Sequence, residues 1–197
     1  MARTQAADYE QRREAILDHA AELYAKKGFA GASLSHLAAA CNTSKSLIYH
    51  YYSSKDYILY DVMKSHVEAL LVEAEAVVAD TAPPDAKLRR LSRAFLALYA
   101  GAAARHRVLL NELDELPPGR RAEIVGVQRR LIEIVEFLLT AIQPRLAPAH
   151  RRPTAMLFFG MINWTHTWLR PDGPVSFGEV ADLSAALFLD GLKRWPG

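Results

Sequence analysis

Residues 33–55, SLSHLAAACNTSKSLIYHYYSSK, decide the fold of this chain. An apolar set at helical spacing follows Ser33, which is a typical N-cap residue, so a short helix is predicted to begin there. Asn42 is predicted to end that helix in a turn, because asparagine tolerates the left-handed backbone at low cost. Ser44 then caps a second short helix. Two helices joined by a turn of about four residues are the pattern of a helix-turn-helix motif.

The charge of this region favours DNA as a partner. From Leu23 to Lys55 the chain carries four lysines and no Asp or Glu. The net charge of the whole chain is only +2, so any affinity for phosphates must come from such a local patch. An ordinary helical hairpin with a solvated lysine face is the alternative that spacing and charge leave open.

The predicted DNA contacts form two groups. Because the second helix of such a motif lies in the major groove, its first residues are expected to contact bases, with Leu47 offering an apolar contact to a thymine methyl group. These base-reading residues are Lys45, Ser46 and Leu47. Polar side chains around them are expected to hold phosphate oxygens, namely Ser33, Thr43, Tyr49, His50 and Lys55.

The same residues carry a family resemblance. The segment SKSLIYHYYSSKD, residues 44–56, is similar to the end of the DNA-binding domain in TetR-type transcriptional regulators. In that family a Ser-Lys-Gly start, a Leu-Tyr-x-Tyr/His-Phe core and a Pro/Ser-Ser-Lys-Glu exit recur. The upstream KKGFAGASLSHLAAAC resembles the family's Gly-Phe/Tyr, Thr-Thr, Ile-Ala pattern. Ser46 and Leu47 depart from the residues that are usual there, so the operator sequence cannot be taken from relatives.

The rest of the chain shows helical periodicity and no convincing strand. The predicted helices cover residues 8–27, 55–79, 85–104, 105–116, 120–142, 152–170 and 177–194, separated by glycine and proline breaks. We therefore expect an all-α protein of about nine helices. Its N-terminal three-helix domain would span residues 1–56, and a C-terminal ligand-binding and dimerisation domain would span residues 57–197.

The last two predicted helices favour a homodimer. Both are apolar on more than one side, and such a helix must be buried by more than one neighbour. Two helices from each of two subunits would form a four-helix interface, and two-fold symmetry would set the recognition helices roughly 34–36 Å apart. The alternative is that both helices fill the core of a monomer.

Aromatic and polar residues within the C-terminal helices are candidates for an effector site, because small-molecule pockets are mostly apolar with a few polar groups. The predicted ligand-binding residues are Phe95, Tyr99, Asn111, Met161, Trp164 and Trp168. The segment MINWTHTWLRPDGPVS, residues 161–176, resembles the C-terminal helix junction of TetR-type regulators that answer to acyl-CoA thioesters. That resemblance implies an acyl-CoA effector, whose phosphates would need a cation such as Arg105, Arg107 or Arg129.

Other classes of protein are disfavoured. The single cysteine cannot form an intramolecular disulfide, and no Cys/His cluster has metal-ligand spacing, so neither a metal nor a cofactor is expected. No glycine-rich phosphate loop, nucleophile elbow or HExxH motif is present, so no catalytic residues are predicted. Without a signal-peptide pattern or a long apolar run, a cytoplasmic location is expected. A protein-interaction module or antirepressor that does not itself bind DNA is the remaining alternative.

Overall fold

The structure, a computed structural model, describes the backbone of residues 2–195 and the side chains of residues 8–195. All regular secondary structure in that part of the chain is helical, which confirms the all-α prediction. In chain order the helices are α1 (Ala2–Gly31), α2 (Leu34–Ala40), α3 (Lys45–Tyr51), α4 (Lys55–Ala79), α5 (Pro84–Gly101), α6 (Ala103–Asn111), α7 (Pro118–Ile142), α8 (Pro148–Asn163), α9 (Thr165–Trp168) and α10 (Phe177–Arg194). A 3₁₀ turn at Leu113–Glu115 precedes α7.

The chain folds into two compact units. The first contains the residues up to Val67 together with Ala104–Ile124, and the second contains Glu68–Ala103 and the residues from Val125 onward. The chain therefore crosses between the units three times, within α4, just before residue 104, and within α7. A functional division at residue 56 stays a prediction.

The helix-turn-helix segment in the first unit forms through the predicted capping residues. The Ser33 hydroxyl oxygen accepts from the N–H of His36 at 3.2 Å, and the His36 ring accepts from the Ser33 N–H at 3.3 Å. Asn42 adopts a φ of 49°, the left-handed conformation predicted for the turn. The Ser44 hydroxyl oxygen accepts from the Leu47 N–H at 3.2 Å and starts α3. The side chains that anchor this motif in the core are Leu37, Ala38 and Ile48.

Helix α1 is interrupted at Gly28. Its φ of 71° and ψ of 160° lie outside the helical region, in a conformation that only glycine adopts without strain. The interruption turns Phe29 into the core, where its ring contacts Tyr24 edge-on at 5.4 Å between centroids. The predicted stop at Gly28 is thus a break, after which the helix resumes to Gly31.

The single helix predicted over residues 152–170 is two helices, because side chains compete for the backbone carbonyls. Thr165, His166 and Thr167 each bond to the carbonyl oxygen three residues earlier, at 2.6–2.8 Å. Such local bonds offer the backbone an alternative to the helical ladder. Consequently α8 ends at Asn163, and α9 is a single turn that follows it.

In the second unit α10 packs along α5, and α8 packs against both helices. The apolar faces of these helices supply a continuous core, formed by Leu88, Leu91, Phe95, Leu96, Ala155, Phe158, Ile162, Val180, Ala181, Ala185 and Leu189. At the rim Arg93 pairs with Asp182 through two hydrogen bonds. Other apolar side chains of α8 and α10 are exposed to solvent.

Candidate functional site

Helix α3 presents a polar face to solvent. Lys45, Ser46, Tyr49 and His50 are exposed, with Tyr49 at 56% of its surface, whereas Ile48 on the opposite side is fully buried. Leu47 is half-buried at the edge of this face. Five of the predicted DNA-binding residues therefore lie on one short helix, four of them on its exposed face.

The two tyrosines that follow hold α3 in place. Tyr51 stacks on Tyr9 of α1 with 4.6 Å between ring centroids. Tyr52 is buried, and burial raises the pKa of its phenol. The guanidinium of Arg13 lies 6.0 Å from the Tyr52 ring and pairs with Asp61 of α4 at 2.5 Å. Contacts with α1 and α4 thus fix the orientation of α3.

The structure places Ser33 at the exposed start of α2 and Thr43, half-buried, in the turn. Lys55, which was predicted to hold a phosphate, makes contacts inside the first unit. Its ammonium donates to the carbonyl oxygen of Phe29 and lies 3.9 Å from the centroid of the Phe29 ring. Burial also lowers the pKa of Lys55. This half-buried cation therefore has a structural role, and its predicted phosphate contact stays a prediction.

A cleft of about 270 Å³ lies between α1 and α3. Arg12 and His19 from α1 line it together with Thr43, Leu47 and Tyr51. The sequence prediction missed Arg12 and His19, although their spacing with Ile16 already places all three on one helical face. What the sequence does not reveal is that this face meets the turn and α3.

Helix α6 contacts α1 and α4 within the first unit. The guanidinium of Arg105 bonds to Glu14 at 2.5 Å, to Asp18 at 2.7 Å and to the hydroxyl of Ser65 at 2.9 Å. Its side chain is only 12% exposed. Arg105 is therefore committed to two carboxylates that lie one turn apart on α1, which corrects its prediction as a cation for coenzyme A phosphates.

A buried histidine pair joins α4 to α6. His66 Nε2 lies 3.1 Å from His106 Nδ1, so one ring donates a hydrogen bond to the other. Both residues are almost fully buried. Burial, reinforced by the nearby charge of Arg105, lowers the pKa of His66 to about 4. His66 is therefore neutral at physiological pH.

This lowered pKa predicts a loss of stability in acid. The unfolded chain takes up a proton at His66 near the ordinary pKa of 6.5, whereas the folded chain does so only near 4. The free energy of unfolding should therefore fall as the pH drops from 6.5 to 4, by roughly 3 kcal/mol from this group. Urea unfolding of wild type and His66→Gln across this range measures the difference. An unchanged pH dependence in His66→Gln would refute the assignment.

The predicted ligand-binding residues are divided between the two units. Phe95 and Tyr99 are buried in the second unit, where the Tyr99 hydroxyl donates to Asn163 Oδ1 at 2.7 Å. Burial raises the pKa of Tyr99. Asn111 is exposed in the first unit, at the end of α6, and its role in ligand binding stays a prediction.

Met161, Trp164 and Trp168 are exposed on the second unit, whereas Phe95 and Tyr99 are buried in it. The reason is that α8 buries Ala155, Phe158 and Ile162, so residues on its other side point to solvent. These outward side chains form an apolar face with α10, made of Leu157, Met161, Trp164, Trp168, Leu183 and Leu187. A groove of about 760 Å³ runs along part of it, lined by Leu157, Met161 and Leu187 among others.

No group of three or more potential metal-ligating side chains occurs among the residues that the structure describes. Within the same part of the chain, none of the helices has the length and apolar character needed to cross a membrane.

Comparison with known proteins decides the family. Residues 16–62 match the sequence model of the bacterial regulatory proteins of the tetR family, and residues 81–192 match that of the tetracyclin repressor-like C-terminal domain. The second match alone covers more than half of the chain. The chain belongs to the TetR family. This confirms the resemblance seen in residues 44–56 and places the protein among transcriptional regulators, not enzymes.

Solved TetR-family structures and curated relatives are similar to this chain over nearly its whole length. A TetR-family regulator from Bordetella parapertussis 12822 is 37% identical, with a TM-score of 0.88 over 94% of this chain and 97% of that one. AibR, solved with isovaleryl coenzyme A and operator DNA, is 27% identical, with a TM-score of 0.80 over 89% and 97%. The HTH-type transcriptional repressor KstR2 of Rhodococcus jostii (strain RHA1) is 27% identical over 92% of this chain and 91% of its own.

Proposed function

We propose that this TetR-family chain is a homodimeric repressor that binds operator DNA through α3 and is released by a hydrophobic effector such as an acyl-CoA thioester. The observation that carries the proposal is the exposed polar face of α3, opposite a buried Ile48 and fixed at its end by Tyr51 and Tyr52. A short helix held this rigidly can present the same side chains to a major groove in every encounter.

The proposed DNA contacts are assigned to side chains that are exposed or half-buried. Lys45 and Ser46 would donate to base edges, and Leu47, at the border of the face, would contact a thymine methyl group. The groups that would hold phosphates are Ser33, Thr43, Tyr49 and His50, and Arg12 joins them at the rim of the cleft beside α3. Lys55 is left out because its ammonium bonds inside the fold.

Two substitutions on α3 separate the proposed roles. Tyr49→Phe removes one hydroxyl donor to a phosphate, so it should weaken binding to all sequences alike, by about 2- to 10-fold. Leu47→Ala should instead change which base is preferred at one position of each half-site. Both variants can be compared with wild type on a pool of randomised operators. Uniform losses for both variants would show that Leu47 does not contribute to base recognition.

The proposed dimer uses the apolar face of α8, α9 and α10. Leu157, Trp164 and Leu187 each expose more than 60% of their surface there, which is unusual for large apolar side chains gathered on one face. A second copy of the same face is the proposed cover, because a two-fold axis brings identical patches together. The same symmetry would present two α3 helices to successive major grooves.

The proposed effector is supported by the relative AibR, which was solved with isovaleryl coenzyme A. In this chain the acyl group would lie against the Phe95–Tyr99 side of α5, where aromatic rings surround the Tyr99–Asn163 hydrogen bond. The exposed Arg129 of the second unit is the proposed cation for the phosphates. To act, the thioester must bind better to a conformation that binds the operator less well.

A further inference from the structure

The peptide at Phe29 is held by a side chain from a distant part of the first unit. At the break in α1, the Phe29 N–H donates to Glu112 Oε2 at 3.1 Å, across 83 positions of sequence. The other carboxylate oxygen of Glu112 lies 3.7 Å from the point where a side chain on Gly28 would begin. The carboxylate is thus seated directly against the interruption that Gly28 creates.

The next peptide unit, which carries the Phe29 carbonyl, is held by Lys55. Its ammonium donates to the Phe29 carbonyl oxygen and covers the Phe29 ring. Phe29 lies just before α2 and Lys55 is the first residue of α4, so this bond ties together the two ends of the helix-turn-helix segment. The charges of Asp56, Glu115 and Glu112 counter the desolvation of the ammonium.

We propose that Glu112 is a positioning residue for the recognition helix. Glu112 accepts from the Phe29 N–H and Lys55 donates to the Phe29 carbonyl, so the two side chains fix the two peptide units that flank Phe29, shortly before α2. A movement of the chain after α6 that withdraws the carboxylate would release the first of these bonds and loosen the orientation of α3. This inference rests on the proposed DNA-binding function and names a side chain on which the orientation of α3 depends.

The bond lies where a regulatory movement can act on it. Glu112 directly follows α6, whose Arg105 and His106 contact α1 and α4, and α6 begins at the point where the chain enters the first unit from the second. Glu112 itself is on neither α2 nor α3, so its effect on the orientation of α3 would pass through the backbone of Phe29 and through Lys55.

The test compares Glu112→Ala, Glu112→Gln and Glu115→Ala in the full-length dimer. Removing an acidic charge near a DNA-binding helix should, by electrostatics alone, strengthen binding or leave it unchanged. We expect the opposite for Glu112→Ala, an operator affinity lowered by about 10-fold with the salt dependence of binding unchanged, because no phosphate contact is lost. Glu112→Gln keeps an acceptor oxygen and should remain within about 2-fold of wild type.

A direct readout is hydrogen exchange of the Phe29 amide, measured by NMR on the free protein. It should exchange at least about 10-fold faster in Glu112→Ala and at the wild-type rate in Glu112→Gln and Glu115→Ala. Glu115→Ala removes a nearby charge without any bond to Phe29, so it is the matched control. The proposal is overturned if Glu112→Ala keeps wild-type affinity and amide protection, or if Glu115→Ala loses affinity equally. A wild-type protein that binds no operator would instead refute the proposed function, while the amide measurement still tests the bond.

Discussion

Replacing both Leu157 and Leu187 with glutamate is expected to convert the protein into a monomer and to lower its operator affinity by at least about 100-fold. These side chains expose 69% and 63% of their surface on the apolar face of the second unit. In the proposed dimer they are buried, and two carboxylates per subunit would then be desolvated without partners. A single helix-turn-helix unit keeps only its own few phosphate and base contacts, which accounts for the loss of affinity.

The matched control is Val72→Glu. Val72 on α4 has the same exposed fraction as Leu187 but lies outside the apolar face, so this variant should stay dimeric and bind normally. Sedimentation velocity gives the oligomeric state, and fluorescence anisotropy on a labelled operator gives the affinity. A double variant that remains dimeric would place the subunit interface elsewhere on the molecule.

An acyl-CoA thioester is expected to lower operator affinity by about 10- to 100-fold, which corresponds to roughly 1.4–2.8 kcal/mol of coupling free energy. The matching free acid should act far more weakly, because it lacks the phosphates that Arg129 would hold. Calorimetry with a panel of thioesters and their free acids, followed by operator titrations with each ligand, measures both quantities. Arg129→Gln should weaken the binding of the thioester and leave the weak binding of the free acid unchanged.

Two outcomes would refute the proposal of an acyl-CoA effector. One is that no thioester binds with a dissociation constant below about 100 μM, roughly 5–6 kcal/mol of binding free energy. The other is that thioesters bind but leave operator affinity unchanged. In either case a plain hydrophobic effector would become the better hypothesis for the C-terminal helices.

The parts of the fold that depend on local chemistry were predictable from the sequence. Ser33 and Ser44 cap helices because a hydroxyl oxygen can reach the N–H three residues on, whatever the rest of the chain does. Asn42 adopts the left-handed turn for an equally local reason. Helix α4 spans residues 55–79, as predicted, because its apolar period is unbroken between a serine cap and a proline pair.

What the sequence could not supply is the partner of each polar side chain. Lys55 is an exposed phosphate ligand by pattern, yet in the fold Phe29 offers it both a carbonyl oxygen and a ring. Arg105 likewise bonds to two carboxylates on α1, those of Glu14 and Asp18. The periodicity of α8 shows two apolar faces but does not say which one the same chain covers, so Trp164 was expected inside a pocket and is exposed.

In vitro selection from randomised duplex DNA with the wild-type protein tests the central claim most directly. We expect enrichment of an inverted repeat whose half-sites are centred one helical turn apart or a multiple of it, about 34–36 Å per turn, and bound by the dimer. Lys45→Ala should fail to enrich that sequence. Selection that yields no common sequence, or binding no tighter than to random DNA, would contradict the assignment of α3 as a recognition helix.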